Sequence, residues 1–166
     1  MGFKGYIFIE CKTDKALVLK IVSSKRFVRC AGGIGEVCNK LKDSENSCGL
    51  VDEDPTKSRP RYMINLLNDP SSIVSNEHDI VVAHDKVRNN YLIVLRPDRE
   101  GWLIKTAKML GIDLRQFDLP NEFKKINLIK PKKVEMLIDE ILTENHPRMK
   151  ELYKAFSFCR RTEIDL

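Results

Sequence analysis

The sequence contains no apolar run that approaches the roughly 20 residues needed to span a bilayer. Its first ten residues form a short apolar segment without the small-residue cleavage site that ends a signal peptide. We therefore expect a cytoplasmic protein with no membrane partner.

Paired cysteines and clustered histidines are also missing. None of the five cysteines belongs to a C-x-x-C pair, and the three histidines are scattered. An odd number of cysteines without such a cluster argues against a disulfide framework and against a zinc site. We expect most of the cysteines to be small buried hydrophobic residues in a reducing compartment.

Apolar residues are plentiful enough for a core. Of the 166 residues, 42% are hydrophobic and 32% are charged, which predicts a single domain with a charged surface. The net charge of +5 is mildly basic and compatible with a polyanionic partner. Nothing in the sequence fixes the oligomeric state, and a homo-oligomer is compatible with it.

The first third of the chain alternates between strand and helix patterns. The strands are short apolar runs, as expected of parallel strands buried on both faces, and a glycine-rich turn at 32–35 separates the second strand from the helix that follows. This β-α-β-α-β order is typical of a parallel sheet with crossover helices. The strands are placed at residues 5–10, 27–31 and 48–51, and the helices at 13–22 and 36–41.

The remainder predicts further strands and helices. Segments 79–84 and 91–95 are β-like and form either a hairpin or two separate sheet strands, whereas the pattern is weak between 55 and 76 except for a helical turn or two near Tyr62. Later helices are expected after Pro97, Pro131 and Pro147.

Together these patterns predict an α/β fold. We expect a Rossmann-like, mostly parallel central sheet flanked by helices over residues 1–110. A C-terminal helical extension over residues 111–166 is expected to pack on the same domain.

Acidic residues follow the predicted strands of the first third. Glu10 ends the first strand, and Asp52 and Asp54 follow the third, alternating around Glu53 so that both lie on one side of extended backbone. Because ligands of parallel α/β sheets collect at the carboxyl ends of the strands, we expect these carboxylates to converge. Such hard oxygen ligands suit Mg²⁺ or Mn²⁺, although acids at strand ends also cap helices or face solvent.

These segments resemble the TOPRIM domain family. The letters IECKTD at 9–14 look like its E-G-x-(T/S/D)-D segment, LVDEDP at 50–55 looks like its D-x-D segment, and the glycines at 32–35 resemble a turn of its stand-alone members. The resemblance is to nuclease-like members, such as the overcoming-lysogenization-defect and small ribosomal-RNA maturation nucleases. It implies a TOPRIM-like fold and metal-dependent nucleic-acid phosphoryl transfer.

The resemblance also implies roles for single residues. Glu10 would be the catalytic acid/base or a metal ligand, Asp52 and Asp54 would hold Mg²⁺ (or Mn²⁺), and Asp14 would help bind a second ion, although helix capping explains Asp14 equally well. Cys11 stands where the family has glycine. A topoisomerase or primase needs further modules that do not fit in 166 residues, so a small nuclease is the first hypothesis.

Basic residues beside the acids would contact the DNA or RNA backbone. Lys12 lies in the first motif, and Lys57, Arg59 and Arg61 form a loop directly after Asp54. A solvated loop is the alternative explanation for these charges.

Several further signals have two explanations. The glycines at 32–35 either cradle a phosphate or form a tight turn. Asp98 and Glu100 either match an acidic position of stand-alone TOPRIM-like proteins or simply sit favourably at a helix start. Lysines between 124 and 133 either extend the basic surface or are solvated.

Two other functions compete with the nuclease. Cys11 favours a catalytically inactive TOPRIM-fold module that binds nucleic acid or a protein. A receiver-like phosphoacceptor also places acids at parallel strand ends, but it needs paired acids after the first strand and one aspartate after the third, the reverse of the order here.

Overall fold

The computed structural model of the chain describes residues 5–10, 12–22, 25–119 and 131–160. It contains one six-stranded sheet with the strand order β2-β1-β3-β6-β5-β4. The strands are β1 Ile7–Ile9, β2 Val28–Cys30, β3 Cys48–Asp52, β4 Ile73–Glu77, β5 Ile80–Asp85 and β6 Asn90–Leu95. The α-helices are α1 Lys12–Ile21, α2 Ile34–Lys42, α3 Arg61–Asn68, α4 Arg99–Met109, α5 Pro131–Leu142 and α6 Pro147–Arg160.

The β-α-β-α-β arrangement of the first third is confirmed. β1 pairs in parallel with β2 on one side and with β3 on the other, so that Ile9 lies opposite both Cys30 and Leu50. α1 begins at Lys12, earlier than the predicted cap, and Asp14 therefore lies inside its first turn. This register brings the carboxyl ends of the three strands to one edge of the sheet.

The second half of the sheet extends this arrangement and then reverses it. β6 pairs in parallel with β3, placing Leu95 opposite Asp52, while β5 and β6 form an antiparallel hairpin. The hairpin alternative for these two segments is therefore the one the structure adopts. The α/β class and the mostly parallel sheet flanked by helices are confirmed.

Strand β4 was not predicted from the sequence. It lies at the edge of the sheet, pairs only with β5 among the described strands, and buries just one of its five residues, Ser75. The Ser75 hydroxyl is hydrogen-bonded to the carboxylate of Glu151 in α6. An edge strand with so little burial has no apolar alternation to reveal it.

The two faces of the sheet carry different helices. One face, which includes Ile9, packs on α1, α4, α5 and α6. The other face, which includes Phe8, packs on α2 and α3. Leu137 of α5 and Phe156 of α6 are buried in the same core as Trp102 of α4. No helix among the described residues is long and apolar enough to cross a membrane.

The prediction that the cysteines are unpaired was wrong for two of them. Cys48 at the start of β3 and Cys159 in α6 form a disulfide, with Cα atoms 5.9 Å apart. Their separation of 111 residues hides the pair in the sequence, because only the packing of α6 on the sheet brings them together. Cys38 is a buried free thiol, as expected, and Cys30 is an exposed one.

Candidate functional site

An acidic cavity of about 320 Å³ lies at the carboxyl ends of β1, β2, β3 and β6. Its lining combines backbone of the glycine turn after β2 with charged side chains from the segments that follow the other three strands. The charged lining residues are Glu10, Asp14, Asp52, Asp54, Asp98 and Glu100, with Lys57 and Arg99 as the basic members. The parallel register of the four strands thus concentrates negative charge in one place.

Glu10 and Asp52 are joined at the centre of this cavity. The Glu10 carboxylate accepts a hydrogen bond of 3.0 Å at Oε2 from the backbone N–H of Asp52. Burial, together with the nearby charges of Asp14 and Glu10, raises the pKa of Asp52 to about 7. Burial also raises the pKa of Glu10, against the opposing effect of its backbone hydrogen bond. Both carboxylates therefore hold protons more tightly than they would in water.

Asp14 is held by a buried arginine. The Arg99 guanidinium donates to Asp14 Oδ1 at 2.8 Å, and their side chains are only 8% and 4% exposed. Arg99 also pairs with Glu100, the next residue in α4. This arginine places one fixed positive charge against the acidic wall, and it ties α1 to the start of α4.

Asp54 belongs to the outer rim of the cavity. Its Oδ1 accepts hydrogen bonds from the backbone N–H and the hydroxyl of Thr56, at 2.9 and 2.6 Å, which lowers the pKa of Asp54. Lys57 Nζ lies 3.6 Å from the other carboxylate oxygen. Asp54 is therefore ionised and already partly neutralised.

Glu53 points away from the cavity, as the alternation of extended backbone requires. It forms ion pairs with Arg59 and Arg96, each at 2.5 Å. Arg59 is thereby held outside the acidic cavity, and Arg61 begins α3 as an exposed residue that does not line the cavity either. Of the predicted basic loop, the structure brings only Lys57 to the acids.

Asp98 caps a helix at the border of the cavity. Its Oδ1 accepts a hydrogen bond of 2.6 Å from the backbone N–H of Gly101, which makes it the N-cap of α4. Asp98 therefore lies at a helix start, as one of its two explanations requires. α2 starts beside the same cavity after Gly32 and Gly33, without a side-chain cap. Gly32 has φ +112°, a conformation that side chains rarely adopt.

The structure thus places the predicted site residues around one cavity, namely Glu10, Asp14, Asp52, Asp54 and Lys57. Their roles stay predictions. Cys11 and residues 120–130 lie outside the described residues, as does the side chain of Lys12. Arg99 was missed by the sequence analysis. The one indication in the sequence was that Arg99 follows the strand β6. This places Arg99 at the cavity only if β6 is known to pair in parallel with β3.

The donor atoms of the cavity can be compared with the ligands that divalent ions prefer. Every acidic group is a hard oxygen donor. Burial, and after it the charge of neighbouring acids, raises the pKa of Glu10 and Asp52, and a bound cation would offset both effects. Within the described ranges, no three His, Cys, Asp or Glu side chains are already grouped to hold an ion. The chemistry of the donors fits Mg²⁺ or Mn²⁺, and ligation requires the carboxylates to turn toward one another.

Comparison with known proteins gives no match: no protein-family profile, curated protein or solved structure matches this chain.

Proposed function

We propose that this protein is a small metal-dependent nuclease of the TOPRIM type, acting on phosphodiester bonds of DNA or RNA. The observation that carries the proposal is the acidic cavity, where Glu10 and Asp52 are joined by a hydrogen bond and surrounded by further carboxylates and two cations. An excess of acids at the ends of parallel strands is costly without a bound cation, which argues for a function that needs one.

Asp52 and Asp54 are the residues that would hold Mg²⁺ or Mn²⁺, and Asp14 would contribute to a second ion. Bound there, the ion would neutralise charge on the non-bridging phosphate oxygens. Asp54 is the ionised ligand, since its pKa is lowered. Asp52 would be deprotonated when it holds the ion, because its raised pKa reflects burial and neighbouring acids that a cation would offset.

Glu10 is suited to handle a proton. Its Oε2 is held by the Asp52 N–H, which fixes the carboxylate at the cavity wall. Its raised pKa brings it closer to neutral pH, where a group can both accept and return a proton. Glu10 would accept the proton of the attacking water or donate one to the leaving oxygen.

Basic groups beside the acids would hold the phosphate. Lys57 stands at the rim and Arg99 is fixed in the wall, and both place positive charge at the mouth of an otherwise repulsive cavity. Arg59 and Arg61 would contact the nucleic-acid backbone outside the cavity, and Lys12 is proposed as a further backbone contact. Arg59 must then leave Glu53 or act together with it.

The test is a cleavage assay with labelled single-stranded DNA, duplex DNA and RNA in Mg²⁺ or Mn²⁺, and in EDTA. Glu10→Gln should lower the rate at least about 100-fold, as expected for a lost proton-transfer group. Glu144→Gln, the same change at an exposed position in the loop before α6, is the matched control and should cleave like the wild type.

Asp52→Asn addresses metal binding in the same preparation. It should reduce the increase in melting temperature that Mn²⁺ gives the wild type, since an ion that binds only the native state stabilises it. Absence of metal-dependent cleavage on all three substrates, or unchanged cleavage by Glu10→Gln, would contradict the proposal. Nucleic-acid binding without cleavage would favour the non-catalytic module.

A further inference from the structure

A second cavity of about 430 Å³ lies on the α2 face of the sheet. We call it the edge groove, because it runs between the edge strand β2 and helix α2. Aromatic side chains of the β1 segment, Tyr6 and Phe8, form its floor, and Arg29 of β2 and Lys40 of α2 supply positive charge. Its size suits a small ligand or one unit of a polymer.

The Tyr6 ring of the aromatic floor is accessible. Tyr6 is 39% exposed, and its ring lies 5.8 Å from that of the buried Phe8. The Arg29 guanidinium stands 5.1 Å from the centroid of the Tyr6 ring. It is held there by donating to the backbone carbonyls of Arg26 and Val28, at 2.6 and 3.1 Å. A cation over an exposed aromatic ring is a surface that nucleobases stack on.

The positive charge of the groove is available to a ligand. Among the described residues, neither Arg29 nor Lys40 forms an ion pair with a carboxylate, and both are exposed. Asp43 is the one acidic residue among the described lining residues, and with Ser44 it lies on the α2 side of the groove, just beyond the last turn of that helix. A phosphate would therefore be favoured at the β2 side.

The edge groove and the acidic cavity are neighbours along one stretch of backbone. Ala31 lines the groove, and the next two residues, Gly32 and Gly33, line the acidic cavity. This stretch is anchored to β1, because Ala31 N–H donates to Ile9 O at 2.8 Å and Gly32 N–H donates to Glu10 O at 3.0 Å. A chain leaving the acidic cavity across the glycine turn enters the edge groove directly.

We propose that the edge groove binds an unpaired nucleotide of a single-stranded DNA or RNA substrate, with its base on Tyr6 and its phosphate at Arg29. The proposal rests on the nuclease function, since the strand in the groove flanks the phosphodiester bond that enters the acidic cavity. A duplex hides the faces of its bases inside the stack, so only an unpaired base can lie on Tyr6. The substrate class is therefore single-stranded nucleic acid.

The experiment measures binding separately from cleavage. Fluorescence anisotropy of labelled single-stranded and duplex oligonucleotides is followed across salt concentrations with the full chain, in Ca²⁺ to suppress cleavage. Tyr6→Ala should weaken single-strand binding by about 10-fold or more, as expected for one lost stack, and Tyr6→Trp should retain it. Arg29→Gln should lower the log–log salt slope by about 0.7.

Two matched controls lie away from the groove. Tyr153→Ala removes a tyrosine of α6 that is equally exposed, at 39%, and Arg115→Gln removes an arginine whose side chain is 84% exposed. Both should bind like the wild type. Circular dichroism and melting temperature identify any variant that has lost its fold, and Tyr6→Trp then decides the stacking role.

The outcomes separate the two proposals. Unchanged binding by folded Tyr6→Ala and Arg29→Gln, equal or stronger binding of duplex, or no single-strand binding at low salt would each overturn the groove assignment. If the groove variants lose binding while no cleavage is ever seen, the groove stands and the nuclease chemistry falls. If cleavage requires Glu10 but is unaffected by the groove substitutions, the nuclease chemistry stands and the groove assignment falls.

Discussion

At the scale of single residues, the central feature is the protonation of Asp52. Its pKa of about 7 in the folded chain lies above the ordinary value of 3.8, because it is buried beside Asp14 and Glu10. A carboxyl with a raised pKa stabilises the fold below its unfolded pKa and loses that contribution as pH rises through the folded pKa. The metal-free protein should therefore become less stable between about pH 4 and pH 7.

Asp52→Asn should remove this loss of stability at high pH. In EDTA at pH 8 we expect the variant to unfold with a free energy higher than that of the wild type by about 1–3 kcal/mol, and to show a flatter pH dependence. Urea unfolding at pH 5 and pH 8 measures both. Asp54→Asn is the opposing control, because the Thr56 hydrogen bonds lower the pKa of Asp54 and its ionised form favours the fold. If the stability of the wild type and of Asp52→Asn changed identically with pH, the pKa of Asp52 would not be raised in the folded protein.

The residue scale also shows what the sequence could reveal about the site. Glu10 and Asp52 were predictable because each follows an apolar run whose end can be seen in the sequence. Arg99 was not, because the sequence left the arrangement of the strand preceding it open. Its contact with Asp14 spans 85 residues and depends on β6 lying beside β3. Local patterns do not encode such long-range pairing.

At the scale of elements, the packing of α2 on β3 depends on one glycine. A Cβ at Gly49 would lie 2.8 Å from both Leu41 Cδ1 and Val37 Cγ1, so a larger residue there would have to displace these two side chains of α2. This contact fixes the helix between the acidic cavity at its start and the edge groove along its side.

Gly49→Ala should therefore destabilise the protein by about 1–3 kcal/mol, the usual cost of overpacking a core. Gly35→Ala is the matched control, since nothing lies within 4 Å of its Cβ position inside α2. It should be neutral or stabilising by up to about 1 kcal/mol, because alanine favours the helix. Chemical denaturation compares the two, and equal stability of both variants would refute the close approach.

Elements with a clear apolar pattern in the sequence were predictable, and the mostly exposed strand β4 was not. The apolar runs of β1, β3, β5 and β6 stand out because these strands are buried on both faces. β4 is mostly exposed and relies on its pairing with β5, which leaves no mark in its own residues. Whether such a segment forms a strand depends on its tertiary contacts more than on its own residues.

At the scale of the whole molecule, the disulfide links the first half of the chain to helix α6. Cys48–Cys159 joins β3, which carries Asp52 at its other end, to α6. Arg148 adds a buried polar link at the start of α6, donating to Asp79 at 2.7 Å and to Thr106 at 2.8 Å. α6 is therefore tied to α4 and the β4–β5 turn at its start and to β3 near its end.

Cys159→Ala should lower stability by about 2–5 kcal/mol, because the bond closes a long loop in the unfolded chain. A reducing agent should lower the melting temperature of the wild type toward that of the variant and leave the variant unchanged. Cys30→Ser, at the exposed free thiol, should respond to the reducing agent like the wild type. A wild-type melting temperature that ignores the reducing agent would mean that the bond does not form in solution.

The position of β6 in the sheet has a consequence for synthesis on the ribosome. β3 has β1 as its neighbour early, but its other edge stays open until β6 at residues 90–95 has been made. The β4–β5–β6 meander involves only local contacts and can form ahead of its docking on β3. During translation the nascent chain therefore displays Glu10, Asp14 and Asp52 well before Arg99 emerges to balance Asp14.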